Sequence, residues 1–293
     1  MATNYSAGIT STSTTAANIQ AFATFISTLL TNGGWVQTGD SGQTASASWP
    51  AATGTATPGG YQIWRMADTL QATYPVFIKL EYGSGASAAY FGLWLTIGTG
   101  SDGSGNITNV RFVRYYMTNN VGSGSYPCWG SATTSRVCFE AFYALGTAFI
   151  ILSIERTIDS SGTPTGDGLL VFGWPAGYNV MHQYVDWAGV ASGRQVSTPN
   201  PPYSPNVIVP PSYATGNDGS GNIAVMPFMY TGMKGICAFG VNYMMYYNTD
   251  LAANNTYTVN VGGSNMTYFA HGTPTGAAQM GGWTSAAFMM CYN

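Results

Sequence analysis

The chain has 293 residues, enough for one large core or two smaller ones, and only 6% of them are charged, where about a quarter is usual. A net charge of −3 is too small to steer the chain to nucleic acid or to an acidic membrane. Aromatic residues at 14% exclude a disordered composition, and scarce Lys and Glu among abundant Gly, Thr, Ser and Tyr exclude a mostly helical one.

Residues 1–15 (MATNYSAGITSTSTT) hold neither a basic stretch nor an apolar run, so no secretory leader is expected and the segment reads as an N-terminal arm. Residues 16–32 carry Ile19, Phe22, Ile26 and Leu29 at i, i+3, i+7 and i+10, the apolar stripe of an amphipathic helix. The Thr and Ser residues before it can cap it, and Gly33-Gly34 ends it. Its other face, with Asn18, Gln20, Thr24, Ser27, Thr28 and Thr31, bears no charge. Asn18, Thr24 and Thr28 are therefore candidate contacts with another chain. The alternative is a helix that lids its own sheet.

Beyond Trp35 the pattern is strands and turns. In residues 74–82 (YPVFIKLEY), Val76, Ile78 and Leu80 face one way and Phe77, Lys79 and Glu81 the other. That predicts a half-buried strand with Lys79 and Glu81 on its exposed face. Further strands are expected at 88–98, 109–118, 136–144, 147–157, 168–174, 223–230, 235–247, 257–261, 266–270 and 285–292. Residues 147–174 read as a β-hairpin with a long polar tip that contains Asp159 and Asp167. The fold class is mainly β: an antiparallel β-sandwich or paired β modules with one N-terminal amphipathic helix. The segment PNPPYSPNVIVPP (199–211), with Pro201 and Pro202, breaks the pattern. It divides a main domain, 16–198, from a C-terminal β module, 212–293, or joins two parts of one domain.

Two loops recur. DGSGNI stands at 102–107 and 218–223, and GTPTG at 162–166 and 272–276. Internal duplication and reuse of common turn residues both remain open. DGSGNI lacks the ligands of a calcium loop and the Lys of a phosphate loop. Its Asp-Gly and Gly-Asn pairs are β-turn dipeptides, so a hairpin turn is expected.

Few residues offer chemistry. The four cysteines form no CxxC, and Cys138, Cys237 and Cys291 lie in apolar runs expected to bury them. A Cys128–Cys138 bridge is the one local pairing to test. His182 and His271 lack a partner motif, and no GxSxG elbow is present. Asp40, Asp102, Asp159, Asp167 and Asp218 sit beside Gly or Ser in turns. Glu81, Glu140 and Glu155 lie near Lys79, Arg136 and Arg156, where ion pairs on or across strands account for them. No catalytic residue, cofactor or metal site is expected, and no apolar run reaches the length of a membrane helix. Trp129, Trp174 and Trp187 could stack on sugar rings, although core or interface is the default for such residues.

The helix is followed by GGWVQTGDSGQ, YQIWRMADTLQATYPVFIKLEYGSG, LWLTIGTGSDGSGNI and LSIERTIDSSGTPTGDGLLVF. Over roughly residues 16–174 this order resembles structural proteins of tailed bacteriophages, of the kind placed in the tail, baseplate or tail fibre. The resemblance implies a non-enzymatic subunit made in the bacterial cytoplasm and assembled into the virion. Its partners would be copies of itself and other virion proteins, met through the arm, the helix, the hairpin tip and the proline segment. A module that binds host-surface glycan is the alternative, and a capsid decoration protein a third reading.

Overall fold

The computed structural model describes residues 3–11, 15–51, 57–84, 91–116, 124–142, 149–174, 181–186, 191–192, 207–208, 226–231, 237–247, 255–270 and 286–292. Its first elements are β1 (Thr3–Ser11), α1 (Ala16–Asn32), β2 (Val36–Gln37), β3 (Pro58–Arg65), β4 (Phe77–Ser84), β5 (Phe91–Gly98), β6 (Gly100–Ser101), β7 (Ile107–Thr108) and β8 (Phe112–Tyr116). Then come β9 (Gly124–Thr133), β10 (Arg136–Phe142), β11 (Phe149–Ile158), β12 (Pro164–Trp174), β13 (Met181–Asp186) and β14 (Ala191–Ser192). The last are β15 (Val207–Ile208), β16 (Met226–Thr231), β17 (Cys237–Tyr247), β18 (Asn255–Val261), β19 (Ser264–Ala270) and β20 (Ala286–Cys291).

They form a five-stranded sheet, β2-β3-β4-β5-β8, a seven-stranded sheet, β1-β9-β10-β11-β12-β13-β14, and a six-stranded sheet, β15-β16-β17-β20-β19-β18. A two-stranded ribbon, β6-β7, completes the set. The pairings between neighbouring strands are antiparallel. The mainly β class with an N-terminal helix, expected from the sequence, is the class observed. Part of the expected arm is strand: β1 pairs with β9 along its whole length, from Thr3 opposite Ala132 to Ser11 opposite Gly124.

Helix α1 buries Ile19, Phe22, Ala23, Phe25, Ile26, Leu29 and Leu30, the stripe its periodicity marked. Phe22 lies edge-on to Tyr82 of β4 at 6.4 Å and to Phe139 of β10 at 6.0 Å, so the helix fills the space between two sheets. Each such ring, fully buried, contributes about 2–3 kcal/mol. The expected side-chain cap is not made. Thr15 is extended at the N-cap without a side-chain hydrogen bond, and its carbonyl accepts the Asn18 and Ile19 amides instead. At the other end Gly34 turns left-handed (φ +87°), and the Trp35 amide reaches back to Leu30.

The seven-stranded sheet is covered on both faces. Val137, Phe139, Leu152 and Ile154 pack beneath α1 with Ile78, Leu80 and Tyr82 of the five-stranded sheet. Strand alternation turns Arg136, Cys138, Glu140, Ser153 and Glu155 to the other face. There the six-stranded sheet lies over them, with β17 against β11. The result is three sheets stacked in layers.

In β4, Val76, Ile78 and Leu80 are buried as expected, but the opposite face is not open: Glu81 is only 9% exposed and Trp94 beside it 4%. The β6–β7 ribbon and the loop through Ser41 fold toward this face. The Tyr61 hydroxyl donates to the Ser41 carbonyl at 2.5 Å, and Lys79 Nζ sits 4.2 Å from the centre of the Tyr61 ring. Among the described residues no helix is long and apolar enough to cross a membrane.

Candidate functional site

The richest concentration of polar groups lies between the seven- and six-stranded sheets. The β10–β11 register sets Arg136 opposite Glu155. Asn242 of β17 enters beside them. Its Oδ1 accepts from Arg136 Nη1 at 2.9 Å, and its Nδ2 donates to the Val137 carbonyl at 3.1 Å and to Ser153 Oγ at 2.7 Å. The backbone amides of Val241 and Asn242 donate to Glu155 Oε2 at 2.7 and 3.1 Å. The Tyr268 hydroxyl closes the group with a bond to the Val241 carbonyl at 2.6 Å. Arg136, Ser153, Glu155, Asn242 and Tyr268 are all buried. Burial pushes the Glu155 carboxyl up to about 7, against the Val241 amide, the Arg136 charge and the Asn242 amide, which hold it down. A network so fully bonded fixes one relative placement of the two sheets.

Beside it a cleft of about 120 Å³ opens, lined by Arg136, Glu155, Arg156, Ser161, Val261 and Ser264 among others. That is about the volume of four water molecules and well below the roughly 300 Å³ at which small-molecule pockets begin. Glu155 is the one acid among its described lining residues. Glu140 shares the face of Glu155 but lies four positions along β10 from Arg136, the residue paired with Glu155. Four residues of strand span about 13 Å, beyond the roughly 5–10 Å that two-carboxylate glycoside hydrolysis uses. The Glu155 carboxylate is occupied by backbone amides, so the arrangement is suited to joining layers.

Arg156 does not pair with Glu155. It forms a two-pronged ion pair with Asp68, in the connection from β3 to β4, through Nε and Oδ2 and through Nη2 and Oδ1 at 2.9 Å. The Ala67 amide adds a bond to the Thr134 carbonyl at 3.2 Å.

The residues singled out in the sequence are dispersed. On the helix Thr24 is exposed, and Asn18 and Thr28 are half-buried. Two of their neighbours turn inward: Gln20 Nε2 donates to the Trp49 carbonyl, and Ser27 Oγ to the Ala23 carbonyl and Gln62 Oε1. Asp159 and Asp167 are exposed at the β11–β12 hairpin, whose tip is polar as expected. Asp159 Oδ1 accepts from the Ser161 hydroxyl and from the Ser161 and Thr163 amides, and these bonds hold its carboxyl below the usual range. The tip leans on its own chain, since a Cβ at Gly262 would lie 2.4 Å from the Ser161 carbonyl oxygen. Trp129 stacks on Phe269 of β19, ring centres 5.9 Å apart. Trp174 ends β12. Trp187, Pro201, Pro202 and His271 lie outside the described residues, as do the second copies of DGSGNI and GTPTG.

The first DGSGNI is a hairpin turn, with Gly100 opposite Thr108 and Ser101 opposite Ile107. Asp102 accepts the Ser104 and Asn106 amides on Oδ1 and the Asn106 side chain on Oδ2, with its pKa lowered chiefly by Asn106. Cys128, Cys138 and Cys291 are buried, and Cys128 and Cys138 point to opposite faces of the sheet, so they do not bridge. His182 is carried by strand β13.

Sequence reasoning passed over Asn242 and Asp68. Asn242 had a signal: one amide side chain inside the apolar run CAFGVNYMMYY must find partners if that strand is buried. Asp68 had none, because only the fold brings it to Arg156. Among the described residues no group of three or more His, Cys, Asp or Glu could hold a metal ion. No protein-family model matches the sequence, and no curated protein matches it.

Proposed function

We propose that the chain is a non-enzymatic structural subunit of a tailed-bacteriophage particle, in the tail, baseplate or fibre region, acting through contacts with copies of itself and with other virion proteins. One observation carries the reading. Asp40, Glu81, Arg136, Glu140, Glu155 and Arg156 are all buried, so a chain already poor in ions spends much of its charge inside. Among the described side chains the exposed charges are Asp102 and Asp159, in turns, and Asp167, at the start of β12. The other exposed residues among those described present mostly hydroxyl, amide and apolar surface, Val36, Tyr74 and Val110 included. Such a surface docks protein without the several kcal/mol needed to strip water from each unpaired ion.

The interlayer network supports the same reading, because a subunit that transmits load between neighbours needs rigidly joined layers. Purified particles carrying a tagged copy of this chain test it. Tag density at symmetry-related positions on the tail or baseplate is the expected result, and particles that lack the chain overturn it.

A further inference from the structure

Strand β18 is an edge of the six-stranded sheet. It runs Asn255–Val261, NTYTVNV. Natural edges are guarded by charge, proline, bulges, brevity or a covering element; β18 has none of the first four, and the β11–β12 tip meets it at its end, at Val261 and Gly262. Its seven residues pair with β19 without a register shift, from Asn255 opposite Ala270 to Val261 opposite Ser264. By contrast the edges β2, β14 and β15 are two residues long.

The turn decides which backbone groups face outward. Gly262 and Gly263 are both left-handed, at φ +58° and +85°, the two-residue turn in which the flanking Val261 and Ser264 form a hydrogen-bonded pair. Bonded and non-bonded pairs then alternate. Tyr257, Val259 and Val261 spend their backbone groups on β19. Thr256, Thr258 and Asn260 direct theirs away from it, and their side chains are exposed.

We infer that β18 pairs antiparallel with β18 of a second copy across a two-fold axis at Thr258. The strand is self-complementary about that residue. Thr258 meets its own counterpart, Thr256 meets Asn260, and on the half-buried face Tyr257 meets Val259, an aromatic against a β-branched side chain. The three outward-facing pairs supply about six hydrogen bonds and join two six-stranded sheets into one. The strand itself carries no charge to oppose the approach. The two-fold makes the contact closed and isologous. The pairing deepens the assembly reading above and rests on it.

The test uses charge at the axis. Thr258→Lys and Thr258→Asp place like charges directly across the two-fold, at an exposed site where neither disturbs the core. Sedimentation of the full chain is expected to show a dimer for the wild type and a dissociation constant raised roughly tenfold or more in each variant alone. An equimolar mixture of the two variants should form a dimer again. Unchanged thermal unfolding of each separated variant shows that the fold survives, and amide exchange at Thr256, Thr258 and Asn260 should slow in the wild-type dimer. Variants that dimerise as well as the wild type overturn this pairing while leaving assembly through another edge, such as β1, intact. A wild-type chain that stays monomeric at every concentration overturns both.

Discussion

Glu155 and Arg156, consecutive in β11, secure different layers of the molecule. Glu155 accepts the Val241 and Asn242 amides of β17, while Arg156 grips Asp68 in the connection from β3 to β4. A strand turns alternate side chains to opposite faces, so two adjacent residues fasten the central sheet to the sheet above and to the sheet below.

Stability should depend on pH through Glu155. Its carboxyl is raised to about 7 in the fold from an ordinary 4.5, chiefly by burial, so the folded state holds the proton more tightly than the unfolded chain. This contribution is fully present below the unfolded value and is lost as the pH rises through about 7. Chemical unfolding of wild type and Glu155→Gln across roughly pH 5 to 8 should reveal it as a decline of about 2–3 kcal/mol in the wild type relative to the variant. Parallel profiles for the two proteins rule the assignment out.

The Arg156–Asp68 pair is open to a double-mutant cycle. Asp68→Ala leaves a buried guanidinium without its carboxylate and should cost about 3 kcal/mol. Combining Arg156→Met with Asp68→Leu replaces both charges by apolar groups and should recover most of that loss. Additive losses in the double variant would show that the two side chains act independently.

At Gly240 β17 lies close against Glu155 of β11. A Cβ there would stand 2.3 Å from Glu155 Oε1 and 3.0 Å from its Cδ. Gly240→Ala should therefore destabilise the chain by about 1–3 kcal/mol. Hydrogen exchange should rise first in β17, β19 and β20 and leave α1 protected. Uniform change over the whole chain, or none, contradicts the close contact.

Tyr82 holds a buried hydroxyl with no hydrogen-bond partner among the described residues, and burial drives its pKa far above that of an ordinary tyrosine. The ring itself is well placed, 4.6 Å from Trp49 edge to face. Tyr82→Phe keeps the ring and removes the unpaired group, so the melting temperature should rise by the equivalent of about 1 kcal/mol. A lower melting temperature means that the hydroxyl is bonded after all.

Periodicity made much of the fold legible. The helical stripe of Ile19, Phe22, Ile26 and Leu29 is buried as read, and the alternation of Val76, Ile78 and Leu80 located β4. Strand β9 escaped notice because Pro127 and two glycines, Gly124 and Gly130, speak against a strand. In β3 a run such as IWR has both faces covered and loses its alternation. Buried polar strands mislead most. Arg136, Ser153 and Glu155 look solvent-facing in sequence, and only a sheet contributed from about ninety residues downstream (Asn242 lies 87 residues from Glu155) puts them inside. Which surfaces are spent within the chain was likewise hidden: Gln20 and Ser27 belong to the polar side of the helix, yet their bonds are internal.

That same separation along the chain has a consequence during synthesis. At roughly 5–20 residues per second, β11 leaves the ribosome about 4–17 s before Asn242 follows. Through that interval the middle sheet carries a hydrated guanidinium and carboxylate on one side, and the nascent protein can set its helix but must wait to lock its upper storey. Completion of the chain, rather than collapse of the first half, is then the step that commits it to the mature shape.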